Sequence, residues 1–192
     1  MDFQKAEHFI FNLLKTKLPA GLYYHSAEHT LDVLNAAATL AHEEGITSSD
    51  DITLLKTAAL FHDCGFIHVY KNHEEEGCRI AREVLPPFDY TQNQIDQICS
   101  LILKTKYGSI PETLAEKILC DADLDYLGRD DYDAISRNLY LELTGLDKIK
   151  TTEEWNRLQI SFLQSHRYYT HSAQVKRERK KADVLKRLKE MV

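Results

Sequence analysis

The sequence predicts an all-α protein, and three observations carry that prediction. Apolar residues recur at helical spacing through nearly the whole chain. Glycine and proline are scarce, 7 and 4 in 192 residues, so few points interrupt the periodicity. No stretch alternates like a half-buried strand, and no repeat, low-complexity segment or interdomain linker is visible. The expected organisation is one compact helical bundle over 1–192, with additional C-terminal helices; this length supports a sizeable core.

The elements follow in order. Phe3, Ala6, Phe9, Ile10, Leu13 and Leu14 define a first helix ending near Pro19-Ala20-Gly21. Ser26 is the predicted cap of a second, through Leu31, Leu34, Ala38 and Leu40 to Gly45. A third starts around Ser49-Asp50 and ends at His62-Asp63, its buried half Lys56 to Phe61 rich in Ala and Leu, with Gly65 as the stop. Asn72-His73-Glu74-Glu75 places a capping residue three before a Glu, and Pro86-Pro87 ends the helix it opens. Thr91-Gln92-Asn93-Gln94 is another capping box, for a helix through Ile95, Ile98, Leu101 and Ile102. Pro111 is placed at the start of a helix that runs through Leu114, Ile118 and Leu119 to Asp121 and Asp123. Helices also fit Asp131 to Leu143, stopped by Gly145, and Thr151 to His166. The last runs from about Ser172 to the end, with Val175, Ala182, Leu185, Leu188 and Val192 inward and Lys176 to Lys181 as a solvated basic face.

Composition narrows the function. A net charge of −6 argues against non-specific nucleic-acid binding as the main task. It leaves a nucleotide substrate open, because a metal can reverse the field inside one pocket. Cys64, Cys78, Cys99 and Cys120 form no C-x-x-C pair and sit mostly in apolar helical contexts, as expected of reduced thiols in a cytoplasmic protein. No signal peptide and no bilayer-spanning run is present, so no membrane partner is expected. Glycine-rich phosphate loops and nucleophile elbows are absent.

The chemistry centres on Leu60-Phe61-His62-Asp63-Cys64-Gly65. An imidazole and a carboxylate at the end of a buried helix are costly unless paired, and a divalent cation satisfies both. Adjacent helical residues project about 100° apart, so one ion must sit off the helix end and take further ligands from other segments. His25 and His29, four residues apart, share a helix face, or His25 leans over the first turn if Ser26 is the cap. Downstream, Asp121, Asp123 and Asp125 interrupt an apolar helical segment where Asp is unfavourable.

The order H…HD…D over His29, His62-Asp63 and Asp123 resembles the HD superfamily of metal-dependent phosphohydrolases, across roughly Tyr24 to Gly128. Tyr24-His25-x-x-x-His29-Thr-x-Asp32-Val33 is similar to a motif of the cyclic-nucleotide phosphodiesterases, a branch of that superfamily. The resemblance implies an HD-domain-like helical bundle and a divalent cofactor (Mn, Mg, Fe, Co, Ni or Zn, as one or two ions). It implies His29, His62, Asp63 and Asp123 as ligands, Asp123 rather than Asp121 because Ala122-Asp123 matches the family's Ala-Asp pair. It also gives Asp63 a catalytic role, bridging two ions as in binuclear members, and makes His25 the donor of a proton to the leaving oxygen. The segment after the His-Asp pair looks like the one that supplies a second ion, with His73 and then Glu74 as candidates and His68 an outsider. The chain departs from the phosphodiesterases in being short and in offering no clear counterpart to their purine-holding glutamine.

Substrate contacts should be basic and near the ligands, which selects Arg129, directly after the Asp123 segment, and Lys106. The loop His166-Arg167-Tyr168-Tyr169-Thr170-His171 is dense in polar aromatics, as a surface interhelical loop or a cover for a base. The leading expectation is hydrolysis of a phosphate ester or anhydride of a nucleotide-like small molecule. Alternatives are a 5′-nucleotidase, a non-catalytic nucleotide or metal sensor, and iron-dependent oxidation on the same scaffold. A homodimer is compatible with the sequence.

Overall fold

The computed structural model describes residues 1–192 as nine α-helices joined by short loops and three 3-10 turns, with no strand. The helices are α1 Phe3–Lys17, α2 Ala27–Glu43, α3 Ser49–Phe61, α4 His73–Val84, α5 Gln92–Lys104, α6 Leu114–Asp123, α7 Tyr132–Gly145, α8 Thr152–Ser165 and α9 His171–Lys189. Most starts are set by a side chain that accepts the N–H three residues on: Ser26 for α2, Ser48 for α3, Thr91 for α5, Thr151 for α8 and Thr170 for α9.

α3 is the central element. Leu54, Leu55 and everything from Thr57 to Phe61 are buried, so the C-terminal half of this helix is covered on nearly all sides, while its first turn, Ser49 to Asp51, is exposed. α1, α2, α5 and α6 pack on it, and α2 also packs on α6. The α2–α3–α6 triangle brings together the first turn of α2 and the last turns of α3 and α6. α4 lies on α5 and on the 3-10 turn Cys64–Ile67, while α9 closes the far side against α8 and the turn Asp125–Gly128. No helix is long and apolar enough to cross a membrane.

Four local expectations are corrected. Gly65 is not a helix stop: it lies inside the Cys64–Ile67 turn, and a Cβ there would sit 2.0 Å from the His73 carbonyl oxygen, so it permits a close approach of α4. Asn72 precedes α4 in the left-handed region (φ 60°) and makes no capping bond; its side chain and Glu75 are taken up by Lys106 instead. α6 starts at Leu114, not near Pro111, because Thr113 and Glu116 form a capping box of their own. α9 is rotated from the predicted face: Val175 and Val192 are exposed, while Ala173, Lys181, Val184 and Leu188 are buried. Its basic run is exposed at Lys176, Arg179 and Lys180, where Lys176 pairs with Glu43 and Lys180 with Asp130 at the surface, while Arg177 is drawn in to Asp125 and Lys181 is buried.

Candidate metal centre and its pocket

Three helix ends deliver the polar cluster. His29 lies in the first turn of α2, where its N–H is held by Ser26; His62 caps α3 and Asp63 follows it; Asp123 closes α6. His29 Nε2 lies 3.4 Å from His62 Nε2, 3.4 Å from Asp63 Oδ2 and 3.1 Å from Asp123 Oδ1. His62 Nε2 lies 3.2 Å from Asp63 Oδ2 and 3.5 Å from Asp123 Oδ1. Donor atoms sharing one ion at about 2.0–2.2 Å lie about 3–3.5 Å apart, which these spacings match. His62 Nδ1 is 2.8 Å from the Ala59 carbonyl, so that nitrogen donates and Nε2 presents its lone pair to the cluster.

The electrostatics favour positive charge among these groups, supplied by imidazolium where no ion is bound. Burial pushes the carboxyls of Asp63 and Asp123 up, but the imidazoles beside them pull harder and hold both well below the usual range. Burial likewise opposes charge on His62, yet Asp63 and Asp123 overcome it and raise that imidazole well above its ordinary value. Asp63 Oδ2 is buried and has no hydrogen-bond partner. A buried carboxylate oxygen left unbonded is expensive, and a divalent ion among these four groups satisfies it. The donor set therefore fits a metal.

The other carboxylate oxygen, Asp63 Oδ1, lies 3.5 Å from His73 Nε2, which is 3.4 Å from Glu74 Oε1. His73 Nδ1 faces the Tyr70 carbonyl at 3.3 Å, so Nε2 turns its lone pair toward two acidic side chains. Asp63, His73 and Glu74 thus form a second donor group adjoining the first. His68 is not brought there: it pairs with Glu76 on the surface.

His25 lies just outside α2, before the Ser26 cap. Its Nδ1 is 2.5 Å from Glu142 Oε1, while the backbone N–H groups of Tyr24 and His25 donate to Glu142 Oε2 at 3.0 and 3.1 Å. The Tyr70 hydroxyl donates to the same carboxylate at 3.2 Å. Burial pushes the wholly enclosed Glu142 carboxyl up, but His25 and the two N–H groups hold it below the usual range. Phe66 stacks between the rings of His25 and His73, with centroids 4.0 and 3.9 Å away.

A cavity of about 650 Å³ adjoins this centre and is lined by His25, Asp63, His73 and Asp123, among others. Lys106 lines it but is paired with Glu75. Arg129 is not brought to it; its guanidinium is held by Asp32 at 2.8 Å and by Asp131 at 2.5 Å on another face. His166, Arg167 and Tyr169 do line the cavity. Their loop is held by Asp121, which accepts from the N–H groups of Tyr169 and Thr170 and from the Thr170 hydroxyl. The three carboxylates of this segment thus divide their tasks, since Asp125 is bound to Arg177.

Residues 26–125 match the HD domain. The chain belongs to that family, which as a class comprises metal-dependent phosphohydrolases. The crystal structure of a predicted HD superfamily hydrolase from an uncultured Thermotogales bacterium has the same fold, with a TM-score of 0.63 and 22% sequence identity over 96% of this chain and 90% of that one. No curated protein matches the sequence.

Proposed function

We propose that the chain hydrolyses a phosphate ester or anhydride of a nucleotide-like small molecule, with His29, His62, Asp63 and Asp123 holding a divalent ion. The observation that carries this reading is the buried Asp63 Oδ2, unbonded amid two imidazoles and a second carboxylate. Bound there, the ion would supply charge for the phosphoryl oxygens and lower the pKa of a water. Asp63 Oδ1, His73 and Glu74 offer a place for a second ion.

His25 is the general acid in this reading. Glu142 accepts from Nδ1–H, which fixes the ring's tautomer and leaves Nε2 to carry the proton for the leaving oxygen. The stack on Phe66 fixes the ring plane. Tyr70 secures Glu142 in turn.

The test is phosphate and nucleoside release from mono-, cyclic and polyphosphate nucleotides with Mn²⁺, Co²⁺, Mg²⁺ or Fe²⁺, using Asp63→Ala as the blank. Turnover is expected to need metal and to vanish in that variant, with helical content retained. His25→Ala should keep the metal and turn over about 10²–10⁴-fold more slowly. Stoichiometric metal with no turnover on any nucleotide would favour a sensor instead.

A further inference from the structure

We infer that His166 is a substrate-binding residue: its Nε2–H is an uncharged hydrogen-bond donor, fixed by Lys181, for an acceptor atom on a planar heteroaromatic base. The base belongs to the nucleotide-like substrate of the reading above, on which this assignment rests. His166 caps the end of α8 and lines the cavity. Beside its Nδ1 lies Lys181 of α9, a lysine only 3% exposed. The Lys181 ammonium is 2.9 Å from the His166 carbonyl oxygen, 2.9 Å from Glu178 Oε1 and 3.4 Å from His166 Nδ1. An ammonium has three N–H groups and no lone pair, so Nδ1 accepts and the proton of the neutral ring sits on Nε2. Burial and the Lys181 charge push the imidazole pKa down to about 4, against the opposing pull of Asp123, so the ring is uncharged near neutral pH.

Nε2 has no hydrogen-bond partner within the protein, and it is not sealed in: Asp63 Oδ2 is the one wholly buried side-chain polar atom left unpartnered. Such a donor can serve a ligand without first breaking a bond of its own. The ring's orientation is set by its neighbours. Phe162 stacks on it at 25° with centroids 6.0 Å apart, and Tyr168 meets it edge-on at 4.7 Å. The Tyr168 hydroxyl donates to the Leu124 carbonyl at 3.2 Å, and Asp121 accepts from the N–H groups of Tyr169 and Thr170. The loop is therefore fixed before any ligand arrives. Phe162, Tyr107 and Tyr169 line the same cavity, with the Tyr107 ring 30° from that of Phe162 at 6.4 Å, and aromatic faces favour a planar ligand. Phosphoryl oxygens have better partners among the lining residues, the charged donors of Lys104, Lys106 and Arg167. An uncharged N–H suits an uncharged acceptor, a ring nitrogen or a ring carbonyl oxygen. A ring with no acceptor there would strand the N–H, which is how a fixed donor discriminates.

The test is isothermal titration of the full-length protein, with Mn²⁺ supplied, against adenosine, guanosine, cytidine, uridine and inorganic phosphate; the nucleosides carry no phosphate to cleave. At least one nucleoside should bind, and His166→Phe, which keeps a stacking ring without the donor, should weaken it about 10-fold. His166→Gln, which returns an N–H near the place of Nε2, should recover most of that affinity. Phosphate should bind all three proteins alike. In ¹⁵N spectra at neutral pH, the His166 signals, identified by their loss in either variant, should show Nε2 protonated and Nδ1 bare, and saturating nucleoside should shift Nε2. No nucleoside bound at millimolar concentration, affinity unchanged in His166→Phe, an equal loss for phosphate, or a protonated Nδ1 would overturn the assignment. A deficit that Gln does not recover would trace the loss to packing and overturn it also. A nucleoside held through His166, in a protein that releases no phosphate from any nucleotide, would sink hydrolysis and leave the base site standing.

Discussion

Four hydrogen bonds converge on the carboxylate of Glu142, and three of them tie down the backbone and ring of the segment that carries His25. Replacing it by Gln leaves a carbonyl for the N–H groups but sets an amide donor against the donating Nδ1. Glu142→Gln should keep its metal and lose about 10–100-fold in turnover, the range for partners that orient a functional histidine. It should also lose about 1–3 kcal/mol of stability at neutral pH. Because the folded carboxyl is held below its unfolded value of about 4.3, the contribution is complete above that pH and fades as pH falls through the folded value. Urea midpoints of wild type and variant should therefore draw together as pH falls from neutral through the folded value; a gap that stays constant across the whole acid range would dismiss the ionised carboxylate as its source. His62-Asp63 stands out in the sequence as a polar pair at the end of an apolar helical run, whereas His29 and the choice of Asp123 come from the resemblance to the HD superfamily. Glu142 is not legible: in Leu139-Tyr140-Leu141-Glu142 it reads as an ordinary helical glutamate, and its partners lie 117 and 118 residues away.

At the scale of elements, the second donor group depends on how closely α4 approaches the end of α3. Two glycines make that approach: a Cβ on Gly65 would meet the His73 carbonyl at 2.0 Å, and one on Gly77 would meet the Phe61 carbonyl at 2.9 Å. Both obstacles are backbone, which cannot swing aside. Gly65→Ala should cost about 1–3 kcal/mol and displace His73 and Glu74, with little loss of helix. A urea midpoint indistinguishable from wild type would show that the Cys64–Ile67 turn is looser than this packing requires. Helix existence was readable from periodicity, and Ser26, Thr91 and Thr151 were readable as starts. The face of α9 was not, because burial of Lys181 depends on the His166 carbonyl and Glu178, which receive its ammonium at 2.9 Å each. Arg129 misled for a related reason: nearness in sequence to Asp123 says nothing about Asp32 and Asp131, which claim its guanidinium.

Over the whole molecule, the centre joins residues far apart in the chain: His29 and His62 are 33 apart, His29 and Asp123 94 apart. An unfolded chain holds no such site, so metal binding is linked to folding. At about 100 times Kd, an ion that binds only the native state adds about 2.7 kcal/mol. For a chain of this size, that corresponds to a rise in Tm of roughly 5–11 °C. Chelator-stripped wild type should show this rise with Mn²⁺, and Asp63→Ala should not. An equal rise in the variant would place the ion away from Asp63 and detach the stabilisation from the helix-end cluster. A rise confined to wild type would tie one buried carboxylate oxygen to the stability of the entire bundle. The metal would then be part of what holds α2, α3 and α6 together, as well as the seat of the proposed chemistry.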